Sequence, residues 1–314
     1  MVDENAISLD DLDLVKNFMY LYHDRKNKPE AISPLFVTGN CSLKNTASQA
    51  FCLLKTLPLI LGSTIPEGNE DWEVFLLFRE ITDIIFADDI PAHCICYLEV
   101  QIQNFLTAFT QKYPAVPITP KLHYMVHYPR LIREFGPLRR FWTMRFEGKH
   151  QYFKSLASRV KNFRNICRTL AQRHHLLQSY ILEDMTLEDG LYVNTTKLVS
   201  CDDLPPCMQH FQTQSVWQVS QASIDKCSYR VGDVLVLRKG TPPVFDLVTA
   251  MYVASSTLFI VADKHEVLHF DRHKFACCLG NTREQIVIHP GEEAVPYALD
   301  LYPNGFVVPK WEIF

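Results

Sequence analysis

The sequence predicts an α+β protein: its N-terminal two-thirds is helical, and a small antiparallel β-barrel or sandwich follows. As far as Glu183, apolar residues recur about every three to four positions, which is the spacing of helices that bury one face. Beyond it, short runs alternate apolar and polar residues, and turn signals such as Pro303-Asn304-Gly305 separate them. The change of period therefore divides the chain into a helical part and a strand-rich part.

Residues 1–119 predict a bundle of four helices joined by short links. Ser8, which precedes acidic residues, and Asn69 are expected to cap the first and third helices. The second helix is apolar on nearly every side, as expected of a helix buried within a bundle, and Pro58 is expected to kink it. The four predicted ranges are Leu9–Tyr22, Thr46–Leu61, Glu70–Ala87 and Pro91–Lys112.

Residues 120–185 predict a basic helical segment with breaks at Pro129 and at Gly136-Pro137. One helix is expected from about Thr143 to Val160, and the next is expected to turn Phe163, Ile166, Cys167, Leu170, His174 and Leu177 inward. Six aromatic rings interleave with the basic residues. We expect four or more of them to be buried, leaving Trp142 or Tyr152 available to a ligand. The six are Phe141, Trp142, Phe146, Tyr152, Phe153 and Phe163.

A polar linker is predicted over residues 186–210, which include Asp202-Asp203 and Pro205-Pro206. Residues 211–314 predict a β-rich domain of five to seven strands. Its charge is close to balanced, which suits a protein or peptide ligand better than a nucleic acid. The predicted strands are Val216–Val219, Asp233–Leu237, Val244–Val253, Leu258–Ala262, Val267–Phe270, Ile286–Ile288 and Phe306–Val308.

The charge of the chain is concentrated in one stretch. The 314 residues carry a net charge of −4, yet Lys121–Arg173 holds thirteen Lys and Arg against two acids, Glu134 and Glu147. A net charge of +11 within an otherwise acidic protein predicts attraction to DNA or another polyanion, or to an acidic protein surface. The alternative is a solvated helix face that the acidic part of the same chain neutralises.

The cysteines and the apolar runs indicate the compartment. Ten cysteines are scattered, and the first residues, MVDENAISLDDL, lack the basic start and apolar run of a secretory signal. We therefore expect reduced thiols and a nuclear or cytoplasmic, not secreted, protein. The longest apolar run, Phe51–Leu61, includes Lys55 and is too short to span a bilayer, so no membrane is expected among the partners.

Four motifs follow one another in the basic stretch: PKLHYMVHYP, FGPL, MRFEGKHQYFK and NICRTLAQRH. With ISLDDL and TASQAFCLLKTLPLILG upstream, and a YRVGDV pattern at Tyr229–Val234, they resemble the distal part of the transposase of CACTA (En/Spm-like) DNA transposons. The likeness is to the animal type or to a domesticated derivative, and it covers about Ser8 to Tyr180.

The resemblance implies a ribonuclease-H-like catalytic core with a helical insertion. Residues 1–119 then correspond to the insertion and 120–185 to the end of the core. Such enzymes use three carboxylates to hold two divalent metals, usually Mg²⁺, for strand cleavage and joining. Glu147 corresponds to the third carboxylate, as catalytic and metal-binding residue, while Arg145, Lys149, His150 and Lys154 correspond to contacts with the phosphates.

The first two metal-binding aspartates of that family lie upstream of ISLDDL, on strands that this sequence does not contain. Asp88-Asp89 and Asp202-Asp203 do not lie on strand-like segments. We therefore expect no cofactor and no cleavage by the isolated chain, with Mg²⁺ serving only a longer or oligomeric catalytic form. The expected nucleic-acid contacts are Arg139, Arg140, Arg145, Lys149, His150, Lys154, Arg159, Lys161, Arg164 and Arg168.

Three hypotheses follow: a transposase-derived nucleic-acid-binding protein, a protein-interaction module that uses the basic face and the β-rich tail, and a remnant metal-dependent strand-transfer enzyme.

Simpler interpretations stand beside each candidate residue. Glu147 has the alternative of a salt bridge with Arg145 or Lys154. His123 and His127 have the spacing of a zinc pair, but without a third ligand at fixed spacing ordinary packing is expected. The clusters His93-Cys94-Cys96 and Cys201-Cys207-His210 lack a CxxC pair. No glycine-rich phosphate loop and no GxSxG motif occurs.

Overall fold

A computed structural model describes residues 9–33, 43–161, 163–183, 191–200, 203–211, 215–224, 227–238, 243–290 and 298–309. Within these ranges, helices precede a sheet of nine strands. All pairings between these strands are antiparallel. The predicted α+β class and the antiparallel pairing are therefore confirmed. No helix in the described ranges is long and apolar enough to cross a membrane.

The helices lie close to their predicted ranges, but the first prediction is wrong at its C-terminal end. The chain leaves α1 after Asn17 because Phe18 turns inward and stacks on Tyr302, with ring centroids 5.4 Å apart. The helices are α1 (Leu9–Asn17), α2 (Tyr22–Arg25), α3 (Ala47–Leu61), α4 (Glu70–Ile85), α5 (Ala92–Lys112), α6 (Pro120–Tyr124), α7 (Tyr128–Phe135), α8 (Met144–Val160) and α9 (Ile166–Glu183).

Local capping explains where two of these helices begin. Asn69 accepts a hydrogen bond from the Trp72 backbone N–H at 2.9 Å, so its predicted role as the cap of α4 is confirmed. Thr46 forms a capping box with Gln49 at the start of α3. The expected break at Pro129 lies directly before it: α6 ends at Tyr124, a 3-10 turn covers Met125–His127, and Pro129 falls in the first turn of α7, where its missing N–H costs no hydrogen bond.

The strands are longer and more numerous than the alternation predicts. The two runs predicted between Leu258 and Phe270 belong to a single strand, and three strands were not predicted: β1, β3 and β8. Of these, β1 lies within the residues expected to form a linker. The strands are β1 (Tyr192–Val199), β2 (Val216–Ile224), β3 (Cys227–Arg230), β4 (Asp233–Arg238), β5 (Val244–Ala254), β6 (Thr257–Asp271), β7 (Ala276–Ile288), β8 (Ala298–Tyr302) and β9 (Phe306–Val307).

The strand pairings trace a circuit. Each of β4, β5, β6, β7, β9 and β8 pairs with the next in that order, and β8 pairs again with β4. β2 joins the circuit through β5, while β1 and β3 pair with β2. Among the described strands, β1 therefore has one paired side only.

The helical part and the sheet share buried contacts. Trp72 of α4 is fully buried, and its indole N–H donates to the carbonyl of His273, in the turn between β6 and β7, at 3.2 Å. The His273 imidazole in turn donates a hydrogen bond to the carbonyl of Ile65, which lies in the loop before α4, at 2.8 Å. Phe275, from the same turn, packs in one apolar cluster with Trp72, Leu61 and Val15. The bundle and the sheet are thus packed against each other.

Charged groups are buried at this seam. The Lys55 ammonium of α3 binds both carboxylate oxygens of Asp24 in α2, and Asp24 also accepts from the Tyr302 hydroxyl of β8 at 2.8 Å. Arg79 of α4 is completely buried, is ion-paired with Asp83 and lies over the Phe275 ring at 4.7 Å. The helices therefore hold the sheet through hydrogen-bonded charges as well as through apolar area.

Replacing Lys55 with Met should destabilise the protein by about 3–5 kcal/mol, because the Asp24 carboxylate would remain buried without its cation. The free energy of unfolding from urea titration measures this. Lys264→Met is the matched control, since Lys264 pairs with Glu284 on the surface, where such a pair contributes about 1 kcal/mol or less. Equal losses in the two variants would contradict the importance of the buried pair.

Asp246 is a buried acid with incomplete hydrogen bonding. It lies on β5, is fully buried, and accepts from the His265 backbone N–H at 3.3 Å through Oδ1. Its Oδ2 has no hydrogen-bond partner among the described residues. Burial raises the pKa of Asp246 from 3.8 to about 6, since the charged form loses its hydration.

The raised pKa of Asp246 predicts that folding stability falls as pH rises from about 4 to about 6. Across this window the folded protein binds more protons than the unfolded chain, and the shift corresponds to at most about 3 kcal/mol. Asp83 has a pKa raised by burial to the same region, and it adds a decrease of the same sign. Denaturant titrations at several pH values should show a smaller decrease in Asp246→Asn; an unchanged pH profile would refute the assignment.

Candidate functional site

The basic stretch Lys121–Arg173 divides into two parts that differ in what neutralises their charge. In the first part, which precedes α8, several arginines form ion pairs with acids. Arg133 pairs with Glu99 at 2.8 Å, and Arg130 lies 3.7 Å from Glu134. These two guanidinium groups lie on the surface of α7 with their charges already matched by carboxylates.

Arg139 and Arg140 are the first two of the expected nucleic-acid contacts, and the structure shows that both also contact Asp88. The Arg139 guanidinium is ion-paired with Asp88, its side chain is only 23% exposed, and it also lies over the Trp142 ring at 5.7 Å. Arg140 is exposed, but its Nη2 donates to the Asp88 carbonyl at 3.2 Å. Asp88 follows the end of α4, so these arginines fasten the basic stretch to the bundle.

The second part is the pair of helices α8 and α9, called here the hairpin. Six of its cations are exposed and have no ion pair with any described residue. Glu147 and Glu183 are its two acids, against eight Lys and Arg. His150 is also exposed, whereas the side chain of Arg145 lies outside the described residues, and Arg164 has a partner. The six are Lys149, Lys154, Arg159, Lys161, Arg168 and Arg173.

The hairpin buries very little of its own surface. The expectation that four or more of the six rings are buried is wrong, because none of them is. Phe146 is 65% exposed, Phe163 is 72% exposed, and Phe141 is exposed as well. The inward face expected for α9 is wrong in part, since Cys167 and Leu177 are exposed. Apolar spacing identified a face of each helix, but the described residues on it are exposed or half-buried, and none is buried.

The ring contacts between the two helices centre on one histidine, His174. Tyr152 and Phe153 of α8 lie 5.9 and 5.4 Å from the His174 ring of α9, and the Lys149 ammonium lies 5.7 Å from the centre of Tyr152. The chain reverses between the helices through left-handed backbone at Lys161 and Asn165, with φ of 51° and 57°. A cation therefore occupies the turn itself.

Trp142 connects the hairpin to the bundle. Its ring packs edge-on against Phe86, at the end of α4, with centroids 5.4 Å apart, and Phe86 packs against Phe51 of α3. Trp142 is thus half-buried in a structural contact, and it is not the ring left for a ligand. The exposed rings among the six are instead Phe141, Phe146 and Phe163.

Glu147 lies exposed on α8. It has no ion pair with a described residue, so the expected salt bridge to Lys154 is absent. In the described ranges it also belongs to no group of three or more His, Cys, Asp or Glu side chains close enough to share a metal. Asp88, the nearest upstream candidate, is ion-paired with Arg139 and lies outside any strand.

The histidine and cysteine candidates do not assemble either. His123 and His127 are exposed, with ring centroids 5.3 Å apart, and no third ligand joins them within the described residues. His93, Cys94 and Cys96 likewise form no group of metal-ligand atoms within the described residues. Of Cys201, Cys207 and His210, which the sequence did not predict to be a metal site, residue Cys201 and the His210 side chain lie outside the described part.

One polar cluster was not anticipated. His23 Nε2 lies 2.9 Å from Asp233 Oδ1, and the His23 backbone N–H donates to Asp300 Oδ2 at 2.9 Å. The two aspartates face each other on β4 and β8 and are 1% and 6% exposed. Arg230 compensates Asp233 through its backbone N–H at 2.9 Å and its guanidinium at 3.5 Å.

These distances would allow the His23 cluster to hold a metal, since its ligand atoms lie within 4.8 Å of one another. The Arg230 guanidinium beside Asp233 already supplies positive charge there, which favours a structural role. The cluster joins α2 to the sheet. Only the YRVGDV pattern marked any of it in the sequence, because the contacts join residues more than 200 positions apart.

No protein-family model matches the chain, and comparison with curated proteins finds no match.

Alanine at Phe146 or Phe163 should change the free energy of unfolding by about 0.5 kcal/mol or less, as for surface substitutions. Phe105 of α5 is buried, and Phe105→Ala should cost about 3–5 kcal/mol. Thermal and urea unfolding of the three variants compares them. A large loss at Phe146 or Phe163 would show that the hairpin rings are part of the core.

Proposed function

We propose that this chain is a transposase-derived nucleic-acid-binding protein, and that the hairpin is its binding surface. The observation that carries the proposal is the set of six exposed cations without ion pairs, on two helices whose acids are outnumbered eight to two. A surface of this kind attracts phosphates and releases condensed counterions when it binds them.

The exposed rings support the same function. Phe146 and Phe163 each lie within five positions of two or more basic residues. Aromatic faces stack on unpaired bases with little regard to sequence, while lysine and arginine follow the backbone. Positively charged helices with exposed rings therefore suit nucleic-acid binding without strong sequence preference. The proposed contacts are Lys149, His150, Lys154, Arg159, Lys161 and Arg168.

The transposase resemblance suggests an origin for this surface. We infer that α6–α9 correspond to the end of a ribonuclease-H-like core, that the bundle corresponds to its insertion, and that the strand circuit is the small barrel expected from the sequence. Binding to DNA would place the protein in the nucleus. Cleavage by the chain alone is not part of the proposal, because Glu147 is exposed and belongs to no carboxylate group in the described ranges.

Duplex and single-stranded DNA should both bind in a gel-shift assay, and affinity should fall with salt. The logarithm of the binding constant should decrease by roughly 0.7–0.9 per contacted phosphate for each logarithmic unit of salt. The double variant Lys154→Gln/Arg168→Gln should bind more weakly at low salt and lower that slope by about two.

Arg130→Gln/Arg133→Gln is the matched control, since it removes the same number of cations from surface positions that acids already neutralise. It should bind nearly as well as the unchanged protein. Binding that is absent at low salt, indifferent to salt, or lost equally in both double variants would refute the proposal. Cleavage with Mg²⁺ or Mn²⁺ that Glu147→Gln abolishes would instead establish the strand-transfer alternative.

A second candidate function is supported by a separate observation. The C-terminal half of α9 exposes five large apolar residues: Leu176, Leu177, Tyr180, Ile181 and Leu182. The strand that follows, β1, pairs on one side only among the described strands. A protein ligand could use both features, packing on the helix and adding a strand to β1. Protein binding that persists in Lys154→Gln/Arg168→Gln would favour this function.

A further inference from the structure

A cavity of about 580 Å³ opens where the segment Phe18–Lys28 crosses the sheet. Its volume falls in the range of pockets that hold small ligands. It lies beside the His23 cluster, far along the sequence from the hairpin, and the functions proposed above do not use it. Its lining includes cations, aromatic rings, aliphatic side chains and one carboxylate.

The cations are Arg25, Lys28 and Arg230. Arg25 and Lys28 are exposed and have no ion pair with a described residue. Arg230 is held in position, because its guanidinium stacks on the Tyr22 ring at 3.8 Å and lies 3.5 Å from Asp233 Oδ1. Its Nε has no hydrogen-bond partner among the described residues, so the protein satisfies this guanidinium only in part. Three cations at one cavity suit a phosphate or another compact anion.

The other side chains that line the cavity favour a ligand with an aromatic ring and hydroxyl groups in addition to the anionic group. Tyr22 is 42% exposed and offers an aromatic surface, and Phe18 and Leu301 add apolar contacts. Asp300 also lines the cavity, and its carboxylate accepts the His23 backbone N–H through Oδ2. A carboxylate repels phosphate but accepts hydrogen bonds from sugar hydroxyls, as acidic residues do in dinucleotide sites.

We propose that this cavity binds a nucleoside monophosphate, with the phosphate at Arg25, Lys28 and Arg230, the sugar hydroxyls at Asp300 and the base against Tyr22. Each part of such a ligand meets a matching chemical group on the cavity wall. The site is separate from the hairpin, so it does not depend on the proposed nucleic-acid function.

Isothermal titration of the full chain with adenosine 5′-monophosphate tests the proposal, with adenosine and inorganic phosphate as partial ligands. Saturable binding of the nucleotide is expected, and each partial ligand should bind at least about tenfold more weakly, since each lacks one set of contacts. Arg25→Gln/Lys28→Gln should weaken nucleotide binding by about tenfold or more. Both positions are exposed, and thermal unfolding will confirm that the variant is folded.

Lys26→Gln is the matched control, because Lys26 is exposed between the two cations but does not line the cavity. Its affinity should stay within about twofold of the unchanged protein. The hairpin variant Lys154→Gln/Arg168→Gln should also bind the nucleotide normally, whatever its effect on DNA. The proposal is overturned by absence of saturable binding, by inorganic phosphate binding as tightly as the nucleotide, or by equal loss in the control or hairpin variants.

Discussion

The seam between the helices and the sheet depends on the buried contact of Lys55, Asp24 and Tyr302. Each of these groups is costly to bury alone, and the three satisfy one another only when α2, α3 and β8 are all in place. Apolar side chains tolerate alternative packings, whereas a buried ammonium requires its acceptor at hydrogen-bonding distance. The contact therefore fixes which face of the bundle meets the sheet, and the His23 cluster beside it fixes the same orientation a second time.

The hairpin differs from the seam in that its described charged groups are exposed and not buried. No described side chain of α8 or α9 is buried, and six cations of the hairpin have no ion pair with a described residue. Trp142 and Arg139 attach it to the bundle, so the surface is anchored at one end and exposed along its length. The charge and several aromatic rings of this surface therefore stay in contact with solvent. Cations closer to the bundle, such as Arg133, instead form ion pairs with acids of the same chain.

Local patterns predicted much of the fold. Helical period and caps located α3, α4, α5, α8 and α9, and alternation located β2, β4 and β5, because these signals depend on neighbouring residues only. The break after α1 was missed because Phe18, which follows it, packs on Tyr302, and local spacing does not reveal a contact so far along the chain. In the candidate site, the cationic stretch could be found from composition. Pairing of Arg139 with Asp88 and exposure of Phe146 could not, since spacing shows that residues share a face and does not show what covers it.

The partners of α2 also bear on the order in which the protein matures. Asp24 and His23 bind Tyr302 and Asp300, which lie 278 and 277 positions further along the chain. During synthesis the N-terminal helices emerge long before β8. The charged groups of α2 therefore stay hydrated until β8 has been synthesised, and the seam forms only after the strand circuit is complete. Loops of this length make assembly slow relative to helix formation. In a nascent chain, the apolar helix residues that pack against the sheet therefore stay exposed to water until the strand circuit is complete.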